Sequence, residues 1–337
     1  MTDLTPAPLL PEICYVPTTD GWALALHRYH QAPAGAPAVI LCSGYGCNRH
    51  FMDFDERYSL ARYLARHGFD SWVVELRGRG MSHPLPGCRH PRSWTFDDLV
   101  RTDVPAAIEF VQRHIGHRRV CWIGHSMGGM VIYAYLGLAR DAAALAAAVT
   151  LASPVTFPPI ASQLMRQLGE LLLALPFPER IPQRAVLGVL WQLVGRTRAL
   201  DVGMNPDNID HAVVGVALRR SICNVPRAKL RQLSAWALRG AFASIDGSID
   251  YRQNLRHVRT PVLSLAGARD RLAPPENIQI ACDLLASARK RVVILGKAQH
   301  FRTDYGHVDT VFGRHAPDEV FPLIADWVGD TLAAGAA

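Results

Sequence analysis

Val120-Cys121-Trp122-Ile123-Gly124-His125-Ser126-Met127-Gly128-Gly129 is the stretch that decides how this chain folds. Its first four residues form a short apolar run of the kind that suits a strand buried on both faces. From Met127 onward the pattern turns helical. Between the two stands G-x-S-x-G, where the serine occupies a sharp strand-to-helix turn and the flanking glycines remove side chains that would collide. Such a turn pushes the Ser126 hydroxyl out of the backbone. It also leaves the serine at a helix N-terminus, where free N–H groups face developing negative charge. Alone the motif is a weak signal, since Ser126 could be an ordinary turn serine. The order of the elements and polar residues around it gives it weight.

Upstream, strand-like and helix-like segments alternate. Residues 24–29 follow the Asp20-Gly21 turn and read as a strand. Ala38-Val39-Ile40-Leu41-Cys42 is a continuous apolar run ending at Ser43-Gly44. A helical segment over 57–67 and a further strand-like run over 71–76 follow. Thr95 and Asp98 make a capping box that opens a long helix to about His114, with Pro105 an awkward residue inside it. Repeated strand–helix alternation predicts an α/β fold, a mostly parallel sheet with helices on both faces. From about Pro154 the rhythm changes. Residues 155–255 are leucine-rich, carry prolines at 158, 159, 176, 178 and 182, and show helical periods. Strand character returns in Pro261-Val262-Leu263-Ser264-Leu265 and over 291–295. The simplest division is a core over 1–154, a helical cap over 155–255 and the rest of the core over 256–337.

The composition narrows the function classes. The chain has 337 residues, 49% of them hydrophobic and 19% charged, enough to bury a sizeable core. Its net charge of +7 is scattered, the densest runs being Arg118-Arg119, Arg219-Arg220 and Arg289-Lys290-Arg291. With no aromatic-interleaved basic patch, a solvated arginine-rich surface is expected and nucleic-acid binding is not. Seven cysteines, none in a C-x-x-C pair, suggest neither a zinc site nor a disulfide framework. The first twenty residues lack the pattern of a secretory signal. The longest apolar stretch, over 131–151, is broken by Arg140 and Asp141, so no stable membrane insertion is expected. A reducing cytoplasm fits these features best.

Ser126 needs a base and an orienting acid. The strand at 261–265 leads into Gly267-Ala268-Arg269-Asp270, which puts a carboxylate at the carboxyl edge of a parallel sheet, where ligands bind in open α/β sheets. Asp270 could instead cap the helix that starts at Pro275. Two histidines follow the last strand. His300 lies 30 residues after Asp270 and His307 lies 37 after it, and either could reach the serine. The remaining histidines, among them His27 and His67, read as surface or capping residues, and His125 as a residue that packs beside the serine. Ser43-Gly44-Tyr45-Gly46 follows its strand as an oxyanion loop would, which assigns the Tyr45 and Met127 backbone N–H groups as donors to an oxyanion.

With these pieces placed, the chain resembles the acid lipase and esterase family within the α/β-hydrolases. Thr18-Thr19-Asp20-Gly21-Trp22-Ala23-Leu24 looks like that family's opening strand and turn. Leu76-Arg77-Gly78-Arg79-Gly80-Met81-Ser82 matches the R-G-x-G-x-S turn common among α/β-hydrolases. Phe96-Asp97 and Asp103-Val104-Pro105 are similar to the helix before the family's elbow, Pro105 included. Tyr305-Gly306-His307-Val308-Asp309, with Gly313 and Ala316-Pro317, looks like the segment carrying the catalytic histidine. The resemblance therefore implies an α/β-hydrolase fold with a triad of Ser126, Asp270 and His307; it favours His307 over His300, an insertion between strand and histidine accounting for the longer spacing. There are departures. Ser43 stands where acid lipases commonly have histidine, the elbow reads Ser-Met-Gly-Gly rather than Ser-Gln-Gly, and residues 155–255 match nothing firmly.

The expectation is a serine hydrolase that cleaves apolar, lipid-like carboxylic esters through an acyl-enzyme on Ser126, without metal or organic cofactor. Leu164, Leu168, Leu171, Leu172 and Leu173 would hold the acyl chain, although such a stripe more often forms cap core. The partner is a small apolar ester, and the oligomeric state is left open. Two other readings use the same residues. The elbow is also similar to that of homoserine acetyltransferases, which implies acyl transfer to an alcohol, and a third reading is a non-catalytic ligand receptor.

Overall fold

Strand β3 (Ala38–Cys42) and strand β6 (Val120–His125) lie side by side in parallel, every residue of both buried. Their side chains divide the core between the two faces of the sheet. Ile40 and Trp122 point to one side with Trp72, and Leu41 and Ile123 to the other with Val73. The computed structural model describes residues 9–116, 118–138, 144–157, 163, 167, 169–171, 174, 179–194 and 202–336.

Around this pair a nine-stranded sheet is built from β1 (Glu12–Pro17), β2 (Trp22–Tyr29), β3, β4 (Asp70–Glu75), the two-residue β5 (His83–Pro84), β6, β7 (Leu145–Leu151), β10 (Val262–Gly267) and β11 (Lys290–Leu295). The order is β1-β2-β4-β3-β6-β7-β10-β11, with β5 paired to β2. From β4 to β11 all neighbours are parallel, while β1 and β2 are antiparallel. The chain steps from β3 one way to β4, then the other way to β6. The carboxyl ends of β3 and β6 thus flank a topological switch point, the crevice where open α/β sheets bind ligands. Helices Val104–His114 and Met127–Leu138 cover one face, and Leu60–Arg66 with Ala316–Ala336 cover the other.

The expected fold class holds, and three local differences have physical reasons. Strand β7 was not foreseen. Its sequence Leu-Ala-Ala-Ala-Val-Thr-Leu is alanine-rich, and alanine favours helix, yet complete burial between β6 and β10 outweighs propensity. Edge strand β1 was also missed, because its exposed positions blur the alternation. The capping box at Thr95 and Asp98 forms as read, but the helix it opens widens to a π turn over Leu99–Asp103. Pro105 comes directly after that turn, which ends with Val104 N–H donating to the Leu99 carbonyl, so the backbone widens where the proline's missing N–H interrupts regular helix bonding.

Between β7 and β10 the described elements are mainly helices, Gln183–Val194, His211–Ser221 and Arg227–Arg239, with a two-residue antiparallel ladder of β8 (Arg180–Ile181) and β9 (Val225–Pro226). The segment is tied to the loop after β3. Asn48 N–H donates to the Ser221 carbonyl at 2.8 Å, and Cys223 N–H donates to the Gly46 carbonyl at 2.7 Å. Further along, Gln232 joins Asp97 at 2.7 Å, and Phe242, Tyr251 and Leu255 pack into the main core.

The elbow itself rests on backbone-to-backbone contact. A Cβ on Gly128 would lie 2.1 Å from the Cys42 carbonyl oxygen, and one on Gly124 would lie 2.2 Å from the Gly128 carbonyl oxygen. Gly128→Ala is therefore expected to cost about 3 kcal/mol or more, read as a lower urea midpoint or loss of soluble protein. Gly188→Ala, on an open helical site with nothing within 4 Å of a Cβ, should raise stability by up to about 1 kcal/mol. Equal effects of the two changes would contradict the contact argument.

Candidate active site

Ser126 sits between the end of β6 and the helix Met127–Leu138 with φ of +50°, a left-handed value that costs a non-glycine residue about 1–3 kcal/mol. The surroundings hold it there. Its N–H donates to the Leu151 carbonyl at 2.7 Å, and its carbonyl accepts from Gly129 and Met130 N–H at 3.0 Å each. The hydroxyl is thereby left at the sheet's carboxyl edge, partly exposed.

Two further strand ends meet it. After β10, Asp270 is buried, and its Oδ1 accepts from the N–H groups of Leu272 and Ala273 at 2.8 Å each. Those bonds make a local turn. The following helix begins at Pro275 with Pro274 at its cap, so Asp270 is not its cap. The other carboxylate oxygen, Oδ2, takes His307 Nδ1 at 2.8 Å, and His307 Nε2 lies 3.0 Å from Ser126 Oγ. A carboxylate can only accept, so Nδ1 carries the proton and Nε2 accepts from the serine.

His307 lies twelve positions beyond the end of β11 because the chain makes an excursion and returns. Tyr305 N–H donates to the Leu295 carbonyl at 3.0 Å, and Arg269 N–H donates to the Tyr305 carbonyl at 2.8 Å. His300 lies out on that excursion, exposed and with φ of +69°. The structure thus brings Ser126, Asp270 and His307 together and leaves His300 apart. Gly267 permits the return, since a Cβ there would meet the Tyr305 carbonyl oxygen at 2.5 Å.

The loop after β3 closes the site from the other side. A Cβ on Gly44 would lie 3.2 Å from Ser126 Cβ, so this backbone is packed against the nucleophile's side. Among the described residues neither the Tyr45 nor the Met127 backbone N–H has an acceptor. Both are positioned on elements that flank Ser126.

Sequence reasoning missed two supports. His125, read as mere packing, has its Nε2 3.0 Å from the His307 carbonyl oxygen, which also accepts from Thr310 Oγ1 at 2.9 Å. Burial first, and the neighbouring His307 second, push the His125 pKa down to about 3, so it is neutral and donates that bond. Asp309 is buried and accepts from Gly306 N–H at 2.8 Å, Asn208 Nδ2 at 2.9 Å and Asn205 N–H at 3.2 Å. Burial raises its pKa to about 6 against those three bonds. It clamps the histidine loop to residues 205–208. The only sequence signal for either role was position: one residue before the serine, two after the histidine.

Above the serine opens a cavity of about 390 Å³. Its walls include Tyr45, Phe51, Met127, Met130, Phe157, Val186, Leu218, Ile222, Leu230, Leu233 and Leu272, six of them from the segment between β7 and β10. Of the leucines expected to hold an acyl chain, Leu171 is the described one, and it does not line this cavity. Leu171 is 60% exposed, and Leu164, Leu168, Leu172 and Leu173 lie outside the described residues. The described wall leucines of the insertion, Leu218, Leu230 and Leu233, sit later, on the helices His211–Ser221 and Arg227–Arg239.

Residues 35–301 match the family model described as serine aminopeptidase, S33. The chain is 22% identical to gastric triacylglycerol lipase of Bos taurus, over 95% of this chain and 88% of that one. It is 23% identical to lysosomal acid lipase/cholesteryl ester hydrolase of Homo sapiens, over 92% and 85%. Among solved structures, a thermophilic esterase from Thermogutta terrifontis superposes with a TM-score of 0.63 at 18% identity, covering 95% of this chain and 99% of that one. The chain belongs to the S33 serine aminopeptidase family of α/β-hydrolases. The family match stops short of His307, so the position of that residue rests on the geometry above.

A buried neutral histidine leaves a signature in stability. The unfolded chain binds a proton at His125 below about pH 6.5, whereas the native state does so only near 3, so stability is lost as pH falls through that window. Stability of the native chain relative to His125→Phe should therefore shrink on acidification, by up to about 1.4 kcal/mol per pH unit. Taking the difference cancels Asp309, whose raised pKa acts oppositely by losing stability as pH rises from about 4 to about 6. Paired urea titrations from pH 4 to 7 measure it, and a flat difference would mean that His125 charges freely in the native state.

Proposed function

We propose that this protein hydrolyses carboxylic esters of small apolar substrates through an acyl-enzyme on Ser126. The carrying observation is the chain of contacts Asp270–His307–Ser126, at 2.8 and 3.0 Å, opening onto a mostly apolar cavity. His307 Nε2 takes the Ser126 proton as Oγ attacks the carbonyl carbon, and Asp270 holds the imidazole's tautomer and offsets its developing charge. The Tyr45 and Met127 N–H groups donate to the tetrahedral oxyanion, each worth about 2.7–4 kcal/mol in the transition state. The protonated His307 then gives its proton to the leaving alcohol. A water deprotonated by His307 attacks the acyl carbonyl, and collapse of the second tetrahedral species frees the acid and restores Ser126.

The same observations favour esters over amino-terminal peptide bonds, the activity in the matched family's description. An aminopeptidase has to hold its substrate's free ammonium group, and no carboxylate side chain lines the cavity among the described residues. The relatives named as lipases support the ester reading. We read residues 155–255 as the cap that selects substrate, with the acyl chain against Met130, Phe157, Leu230 and Leu233. A reducing, cytoplasmic setting belongs to this reading, supported by seven free cysteines, of which Cys42 and Cys121 are buried within strands. Among the described residues no helix is long and apolar enough to cross a membrane.

Hydrolysis of p-nitrophenyl esters from acetyl to palmitoyl tests the proposal. Ser126→Ala and His307→Ala should each lose about 10³-fold or more in kcat while remaining folded, and His300→Ala should stay near the native rate. Appreciable turnover by Ser126→Ala would remove the nucleophile assignment. Labelling by a fluorophosphonate without cleavage of any ester would redirect the reading to acyl transfer, detectable as transfer products with added alcohols.

A further inference from the structure

Behind the oxyanion loop lies a buried set of donors that the proposed mechanism does not use. Arg79 is 2% exposed, and its Nη1 donates to the carbonyls of Ser43 at 2.9 Å and Cys47 at 3.4 Å. Its Nε and Nη2 are buried with no partner. Lys229, from the helix Arg227–Arg239, is also 2% exposed, and its Nζ lies 4.9 Å from the centroid of the Tyr45 ring. No described residue gives that ammonium a hydrogen bond or a carboxylate. The Tyr45 hydroxyl is buried and unpartnered as well.

The local anions are already engaged. Asp103, whose charge reaches Lys229, accepts from Arg77 through both oxygens, at 2.8 and 2.9 Å. Burial pushes the Cys47 thiol up to about 12, so it supplies no thiolate; its hydrogen is directed at the Tyr45 carbonyl, and that of Cys223 at the Ser221 carbonyl. Two cations buried together without a counter-charge are costly. A water cannot balance them, because it carries no charge and brings two hydrogens, of which the Tyr45 oxygen could accept one. Two cationic groups that can only donate, beside a hydroxyl that can turn its hydrogen the same way, match a small anion.

We propose that Arg79, Lys229 and the Tyr45 hydroxyl bind a monovalent anion of halide size behind the Ser43–Cys47 loop. Arg79 holds that loop by two carbonyls, so the anion braces the backbone that carries the Tyr45 N–H. Its role in turnover rests on the oxyanion assignment proposed above, whereas its binding does not. The rival state is a neutral Lys229 amine that accepts from Arg79, toward which burial and the Arg79 charge push its pKa well below the usual value. That state has no use for an anion.

The test starts from protein dialysed into potassium methanesulfonate, with chloride or bromide titrated in at constant ionic strength. Saturable rises are expected in Tm, by about 2 °C or more, and in p-nitrophenyl butyrate turnover, by about twofold or more. Crystals soaked in bromide should show an anomalous peak in contact with Arg79 and Lys229. Lys229→Met should lose the halide response. If that variant fails to fold, the native-protein titration and the bromide crystal decide the matter alone. No peak together with a halide-independent Tm overturns the proposal and leaves the neutral lysine. A peak with a Tm response, in a protein that cleaves no ester, supports the anion site and counts against the ester-hydrolase reading only.

Discussion

The whole arrangement depends on how closely the backbone of the elbow can approach its neighbours. At Gly128 the chain runs against the Cys42 carbonyl, and at Gly124 against Gly128 itself, with no room for a single added carbon. This compression joins β3 to β6 across the switch point and forces Ser126 into its left-handed turn. The Leu151 carbonyl, from the unforeseen β7, accepts the Ser126 N–H and so shares in holding the strain. Strain of a few kcal/mol survives only where its surroundings over-determine the geometry. Here three adjacent parallel strands do so.

Asp270 and His307 are held near the serine in different ways. Asp270 is held by its own turn, two backbone N–H groups satisfying one oxygen and leaving the other for His307. His307 is held from outside, by His125 and Thr310 on its carbonyl and by the Asp309 clamp beside it. Asp309 also binds residues 205 and 208 of the inserted segment. The histidine loop and the inserted segment therefore share a single buried carboxylate. A disturbance of either is felt by the other, although the inserted segment contributes none of Ser126, Asp270 and His307.

Much of this was legible in the sequence, for identifiable reasons. Residues 120–129 and 38–42 were readable because a parallel strand buried on both faces writes a continuous apolar run. The capping box at Thr95 was readable because its signal is purely local. Strand β7 was hidden by its alanines, which take their conformation from neighbours distant in sequence. The choice between His300 and His307 was open to spacing, since either falls after the last strand. It follows from two backbone hydrogen bonds at Tyr305 that no side-chain pattern announces. Leu218, Leu230 and Leu233 were not picked out as cavity wall because leucines at helical spacing tell which face is apolar, not what that face meets.

The excursion between Leu295 and Tyr305 has a consequence of its own. Because Tyr305 bonds straight back to the end of β11, the ends of this loop are fixed whatever lies between them. Residues 297–300 at its tip are exposed, and lengthening such a loop costs little in closure entropy. The interval from acid to base is thus a free variable of the architecture. Related chains can differ there by many residues without moving the imidazole, and the tip is a natural port for grafting a peptide or reporter close to the reaction centre.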